Sequence, residues 1–143
     1  MNDLLSKIEK KDSKIGIIGL GYVGLPLVSE FLSKGFEVIG IDKDQSKIDS
    51  LNNKKSYIAH VNSDFLSRYL SKSFSVSTEI SSLESADVII MCLPTPLKKN
   101  FQPEMKYVFD TIDEMIPFCM KGKRSLLKVR LILELQARIS MKN

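Results

Sequence analysis

Apolar residues along this chain fall into two patterns. Three runs are compact and lack polar alternation: Ile15 to Ile18, Phe36 to Ile41, and ADVIIMCLP from Ala86 to Pro94. Runs of this length and density predict strands buried on both faces. A shorter segment, FSVST at Phe74 to Thr78, predicts a further strand. Between these lie stretches with helical spacing. Asn2 to Lys11 carries Leu4, Leu5 and Ile8, with Asn2 or Asp3 as a cap. Tyr22 to Ser33 reads as a helix, and Gly35 stands where a helix-ending glycine belongs. Asp44 to Leu51 places Ile48 and Leu51 on one face. Asn52 to Ser63 is a polar loop, after which Ser63 or Asp64 caps a short helix through Leu70. Pro94 and Pro96 prevent the third strand from continuing. Pro103 opens a last helix to Met120, whose Met105, Val108, Phe109, Ile112, Met115 and Ile116 are expected in the core.

Strands alternating with helices predict βαβ units and a parallel sheet. Right-handed crossovers put helices on both of its faces. The expected fold is therefore α/β, a Rossmann-like parallel sheet covered on both sides. At 143 residues the chain is one domain's length, enough to bury roughly 70% of the surface its unfolded form exposes. There is no internal repeat or low-complexity segment.

Composition narrows the chemistry. The formal charge of +4 is concentrated at the two ends, and Lys121 to Asn143 holds seven Lys or Arg against one Glu. No basic residues interleave with aromatics, so a nucleic-acid partner is not expected, and the tail reads as solvated. The cysteines Cys92 and Cys119 form no CxxC pair, and the single histidine is His60. A disulfide framework or a metal site is accordingly not expected. The opening MNDLLSKIEKKDSK lacks the apolar core of a signal peptide, and no apolar run approaches ~20 residues. These features point to a cytoplasmic protein with no membrane partner.

Gly19, Gly21 and Gly24 form G-x-G-x-x-G between the first strand and the first long helix. That context gives the pattern its meaning. The first glycine permits the tight turn, the second lets a pyrophosphate approach the backbone, and the third lets helix and strand pack closely. The anion then meets the free N–H groups at the helix start. A dinucleotide site also needs a carboxylate about 20 residues further on, at the end of the second strand, to bond the ribose hydroxyls. Asp42 stands there, and its charge favours NAD over NADP, with Lys43 beside it softening the preference. The bland alternative is that Asp42 caps the following helix. The glycine pattern by itself serves FAD or a regulatory NAD-sensing domain equally well. At the end of the third strand, Thr95 is held between Pro94 and Pro96. Ligands bind at the carboxyl ends of parallel strands, so its hydroxyl either meets a cofactor or satisfies local backbone groups.

IGIIGLGYVGLPL, VIGIDKDQSKIDSLN, SYIAHV and VIIMCLPTPLKKNFQPEMKYV together resemble the N-terminal NAD-binding domain of the UDP-glucose/GDP-mannose dehydrogenase family. Within it they look most like the UDP-N-acetylglucosamine 6-dehydrogenase branch. The resemblance divides the chain into an N-terminal helix at 1–13, the NAD-binding domain at 14–123 and an aberrant tail at 124–143. It implies that Gly19, Gly21, Tyr22, Val23 and Gly24 hold the NAD pyrophosphate, Asp42 the adenosine ribose, and Pro94 and Thr95 the cofactor near the active site. Lys47 falls near the adenosine end, and His60 in a loop near the cofactor without a catalytic role. The implied function is NAD-dependent oxidation of a UDP-sugar C6 alcohol to a uronate. That chemistry passes through a cysteine thiolate that captures the aldehyde. In the family this cysteine and its helpers lie beyond the first domain. Cys92 and Cys119 have no neighbouring base and read as packing residues. On this reading the chain is a cofactor half without catalytic residues, its sheet incomplete. Alternatives are a stand-alone NAD-binding regulatory module, or an oxidoreductase half that joins a separately encoded catalytic chain.

The departure begins near Arg124, where the family continues into a loop resembling Ser-Thr-Thr-Tyr-Pro-Gly-Thr-Thr. A frame that takes the last base of one codon and the first two of the next recovers this loop from Lys128 to Gln136, given suitable synonymous codons. For example, AAA GTA CGA CTT ATC CTG GAA CTA CAA contains AGT ACG ACT TAT CCT GGA ACT ACA. A frameshift after about Gly122 is therefore expected. The apolar run Val129 to Leu135 is left to pair onto the sheet or to form a helix.

Overall fold

The structure is a computed structural model, and it describes residues 2–94, 96, 104–119 and 128–131. Helix α1 (Asn2–Glu9) leads into β1 (Lys14–Ile18), α2 (Gly24–Ser33), β2 (Glu37–Ile41), α3 (Gln45–Asn52), α4 (Ser63–Tyr69) and β3 (Phe74–Ser77). A 3₁₀ helix (Ile80–Ser85), β4 (Val88–Met91), α5 (Lys106–Cys119) and β5 (Lys128–Leu131) complete the order. The five strands form one sheet in the order β3-β2-β1-β4-β5, and every pairing is parallel. The expected Rossmann-like architecture is thus present.

The unbroken apolar runs form strands because both faces of the sheet are covered. Ile15 and Ile17 of β1 pack with Leu25, Val28 and Leu32 of α2 and with Ile48, Leu51 and Leu66 from α3 and α4. The opposite face carries Ile18, Ile39, Ile41, Ile89 and Met91 beneath Ile80 and Leu83 of the 3₁₀ helix and Val108 and Met115 of α5. β1 lies between β2 and β4 with Ile15 opposite both Val38 and Val88. The chain therefore crosses to one side after β1 and to the other after β3. Among the described residues no helix is long and apolar enough to cross a membrane.

Several expectations shift in detail. Helix α4 is capped by Asn62, whose side chain accepts from the Phe65 N–H at 3.0 Å, rather than by Ser63 or Asp64. The Ser63 hydroxyl instead accepts from the Ser56 N–H. The helical spacing of α5 holds, but Phe109 is 60% and Ile116 48% exposed, against 1% for Val108 and 2% for Met115. The helix rests on a single layer, so the stripe through positions 108, 112, 115 and 118 meets the sheet while Phe109 and Ile116 face away. The 3₁₀ helix has no counterpart in the periodicity. In α1 the helix forms, with Leu5 half-exposed, and Lys7 anchors it through a 2.9 Å contact to Asp87. Residues 128–131 take the strand alternative, pairing with Val88 to Met91; residues 132–135 lie outside the described ones. So does Pro103.

Candidate functional site

Gly19 has φ of +90°, a conformation open to glycine at little cost. A Cβ there would press on the carbonyl of Cys92. The turn begins one residue past β1, because the Gly19 N–H still donates to the Ile41 carbonyl at 2.7 Å. A Cβ on Gly24 would collide with the Gly19 carbonyl oxygen, so the third glycine fixes how closely α2 approaches the strand. Gly21 differs from both. A Cβ there meets nothing within 4 Å, so this position opens onto free space.

That space is a cavity of about 380 Å³ at the carboxyl ends of β1, β2 and β4. Its lining includes Ile18 and Ile41 at the strand ends, Gly19, Gly21 and Tyr22 of the turn, Asp42, Lys43 and Lys47 beyond β2, and Leu93 and Pro94 beyond β4. In an open parallel sheet this is the switch point where ligands bind. Tyr107, Asp110 and Thr111 of α5 and Ile80 of the 3₁₀ helix supply a further wall. Sequence reading gave these residues no role. The one available signal was the polar side of α5, since positions 107, 110 and 111 are neighbours on a helix.

The first turn of α2 leaves its N–H groups without intrahelical partners. Backbone bonding within the helix begins with the Leu25 N–H on the Gly21 carbonyl. Among the described residues, no protein acceptor takes the N–H groups of Gly21, Tyr22, Val23 or Gly24. Val23 occupies the N-cap and makes no side-chain cap bond. Its side chain packs against the core, leaving only its backbone for a ligand. The donor set, the open Gly21 and the adjoining cavity suit a pyrophosphate, which needs amide donors and close backbone approach.

Asp42 does more than end β2. Its Oδ2 accepts from the Leu20 N–H at 2.8 Å and pairs with the Lys47 ammonium at 2.8 Å. Its Oδ1 accepts from the Asp44 N–H at 3.0 Å. The carboxylate thus ties the glycine turn to the second strand and to α3. It does not cap α3; Asp44 does, accepting from the Ser46 N–H at 2.9 Å. Two carboxylate oxygens offer about four acceptor sites, which leaves room on Oδ1 for one more donor. Lys43 reaches Glu114 at 2.8 Å, linking the end of β2 to α5.

Gly19, Gly21, Tyr22, Asp42, Lys47 and Pro94 therefore gather around one cavity. Gly24 lies behind it, against Gly19 and Cys92. Thr95 lies outside the described residues. His60 is exposed in the loop between α3 and α4 and does not line the cavity. Cys92 is 3% exposed and packs behind the turn, as expected of a structural thiol; the Cys119 side chain lies outside the described ones. Sequence reading missed Tyr57 as part of this site. Its hydroxyl donates to the Leu20 carbonyl at 2.7 Å. Burial raises the pKa of this phenol well above its ordinary value, and the Asp42 and Asp44 carboxylates push the same way.

Residues 13–129 match the model of the UDP-glucose/GDP-mannose dehydrogenase family, NAD binding domain. The UDP-N-acetyl-D-mannosamine dehydrogenase of Methanococcus maripaludis is 33% identical over 113 residues, covering 76% of this chain and 26% of that protein. The NDP-N-acetyl-D-galactosaminuronic acid dehydrogenase of Ralstonia nicotianae is 32% identical over 109 residues, covering 76% and 25%. Among solved structures, the GDP-mannose dehydrogenase of Pseudomonas aeruginosa superposes with a TM-score of 0.74 at 30% identity, over 83% of this chain and 28% of that one. The chain thus spans about a quarter of the length of these relatives. The two curated relatives carry N-acetylmannosamine and N-acetylgalactosaminuronic names. The N-acetylglucosamine branch expected from the sequence finds no support in them, because motifs confined to a cofactor-binding half do not report on the sugar.

Proposed function

The chain belongs to the UDP-glucose/GDP-mannose dehydrogenase family through its NAD-binding domain, and on that premise we propose that it holds the cofactor for oxidation of a nucleotide sugar. Its cofactor is NAD. The observation that carries the reading is the row of free N–H groups at the start of α2 beside a cavity that Gly21 leaves open. Gly21, Tyr22 and Val23 would offer their amides to the pyrophosphate, with the positive end of the α2 dipole behind them. Gly19 would wall the cavity at the turn, and Gly24 sets how closely α2 approaches β1 while keeping its own amide free at the helix start. Asp42 would accept a ribose hydroxyl on Oδ1, with Lys47 holding the carboxylate in place. Pro94 and Thr95 would stand toward the reacting end. A nicotinamide cofactor held there would supply a hydride acceptor for the oxidation of an alcohol carbon.

The substrate class we propose is a UDP-sugar oxidised at C6, as part of the activity of a full-length family member. The 143 residues themselves hold the cofactor side of that reaction. The buried Cys92, with no base beside it in the sequence, is unsuited to capture an aldehyde. The expected result is that the purified chain binds ADP and NAD in calorimetry and forms no NADH from UDP-sugars. Absence of nucleotide binding would remove the reading, and NADH formation would show that catalytic residues are present after all. We also propose that residues 124–143 follow a shifted reading frame. Sequencing the encoding DNA tests this: the shifted frame should run on into family-like sequence.

A further inference from the structure

We propose that Tyr57 is a positioning residue for cofactor binding, aiming the pyrophosphate-binding amides of the glycine turn from behind without touching the ligand. The inference rests on the NAD-binding reading above. Two successive peptide groups at the start of the turn are each held at one end. A trans peptide is planar, with its C=O and N–H pointing in opposite directions. Fixing one group therefore aims the other. In the peptide joining Gly19 to Leu20, Asp42 Oδ2 holds the N–H at 2.8 Å. The Gly19 carbonyl is turned the other way, onto the Cα of Gly24, where a Cβ would collide with it. In the peptide joining Leu20 to Gly21, the Tyr57 hydroxyl holds the carbonyl at 2.7 Å. The Gly21 N–H is turned away from Tyr57, and Gly21 is the turn residue that opens onto the cavity.

Leu20 is fully buried, so its carbonyl has no ready access to water in place of the tyrosine. Without the hydroxyl an acceptor is left unsatisfied, and the peptide has reason to rotate toward another donor. Rotation would carry the Gly21 N–H with it. Asp42 alone does not prevent this, because it restrains only the preceding peptide. Tyr57 comes from the loop between α3 and α4, and its ring packs against the core cluster that contains Leu20, Ile58 and Val61. The loop that the sequence set aside as a polar connection thus acts on the turn. Tyr57 donates here, which requires the neutral phenol, and its raised pKa keeps it neutral throughout the ordinary pH range.

The test is calorimetric titration of the full chain with ADP and with adenosine, for the wild type and Tyr57→Phe. Adenosine lacks the pyrophosphate and does not read the amides of the turn. Wild type should bind ADP more tightly than adenosine. Tyr57→Phe should bind ADP about three- to tenfold more weakly, the value of one hydrogen bond, with adenosine unchanged. An unchanged ratio of ADP to adenosine affinity would overturn the proposal while leaving the cofactor reading intact. Wild type showing no preference for ADP would instead overturn the cofactor reading, and this inference with it. Should the phenylalanine variant fail to fold, 3-fluorotyrosine placed at position 57 keeps the ring and strengthens the donor. The ADP to adenosine ratio should then rise, and a ratio equal to wild type counts against the proposal.

Discussion

A Cβ at Gly24 would meet the Gly19 carbonyl oxygen, whereas one at Gly21 meets nothing within 4 Å. The two alanine variants should therefore separate folding from binding. Gly24→Ala forces α2 away from β1 and should cost about 1–3 kcal/mol in urea unfolding. Gly21→Ala should leave stability within about 0.5 kcal/mol while weakening ADP at least about tenfold, because the methyl takes the place of the approaching phosphate. Tyr57 adds a pH signature. Burial, then the Asp42 and Asp44 carboxylates, hold its pKa above the ordinary value near 10. Between the unfolded and folded pKa values the folded state keeps a proton that the unfolded chain has lost. Stability must then fall as pH rises above about 10. The difference between wild type and Tyr57→Phe in urea midpoint should accordingly shrink or reverse on going from pH 8 to pH 11, a range set by those constants. A constant difference would show that the phenol titrates alike in both states. At this scale the glycines and Asp42 were legible because each belongs to a local pattern, whereas Lys47 entered only through the family resemblance. Tyr57 was not, because its partner lies 37 positions away in the chain.

Helix α5 shows the same division at the level of an element. Its spacing announced a helix, and the helix is there from Lys106 to Cys119. Which of its apolar residues are buried depended on how much of it the sheet covers. Met115 is 2% exposed in the cluster with Ile89 and Met91, so Met115→Ala should cost about 2–5 kcal/mol. Phe109 projects to solvent, and Phe109→Ser should change stability by no more than about 0.5 kcal/mol. Equal losses in urea unfolding would mean that the outer face is covered in solution. The polar side of the same helix brings Tyr107, Asp110 and Thr111 to the cavity. The Thr111 hydroxyl donates back to the Tyr107 carbonyl at 2.8 Å, which ties down the side chain along that wall. The 3₁₀ helix escaped prediction because its six residues are too few to show a period, yet its Ile80 and Leu83 cover the sheet beside α5.

For the molecule as a whole, nucleotide binding and stability are linked, because a ligand that binds only the folded state stabilises it. At about 100 times its dissociation constant the gain is about 2.7 kcal/mol. ADP should therefore raise the thermal midpoint of the wild-type chain, and at the same concentration Gly21→Ala should show a much smaller rise. A rise of equal size in both would place the nucleotide elsewhere. The sequence by itself determined the strand-helix alternation, the glycine turn and the acid at the end of β2, because each is encoded in neighbouring residues through period, backbone freedom or charge. The tertiary structure alone decided the order β3-β2-β1-β4-β5, which sets the cavity at the switch beside β1. It alone decided that Asp42 and Tyr57 hold two successive peptides of the turn. Those contacts join segments far apart in the chain, and no local pattern records where distant backbone atoms come to rest.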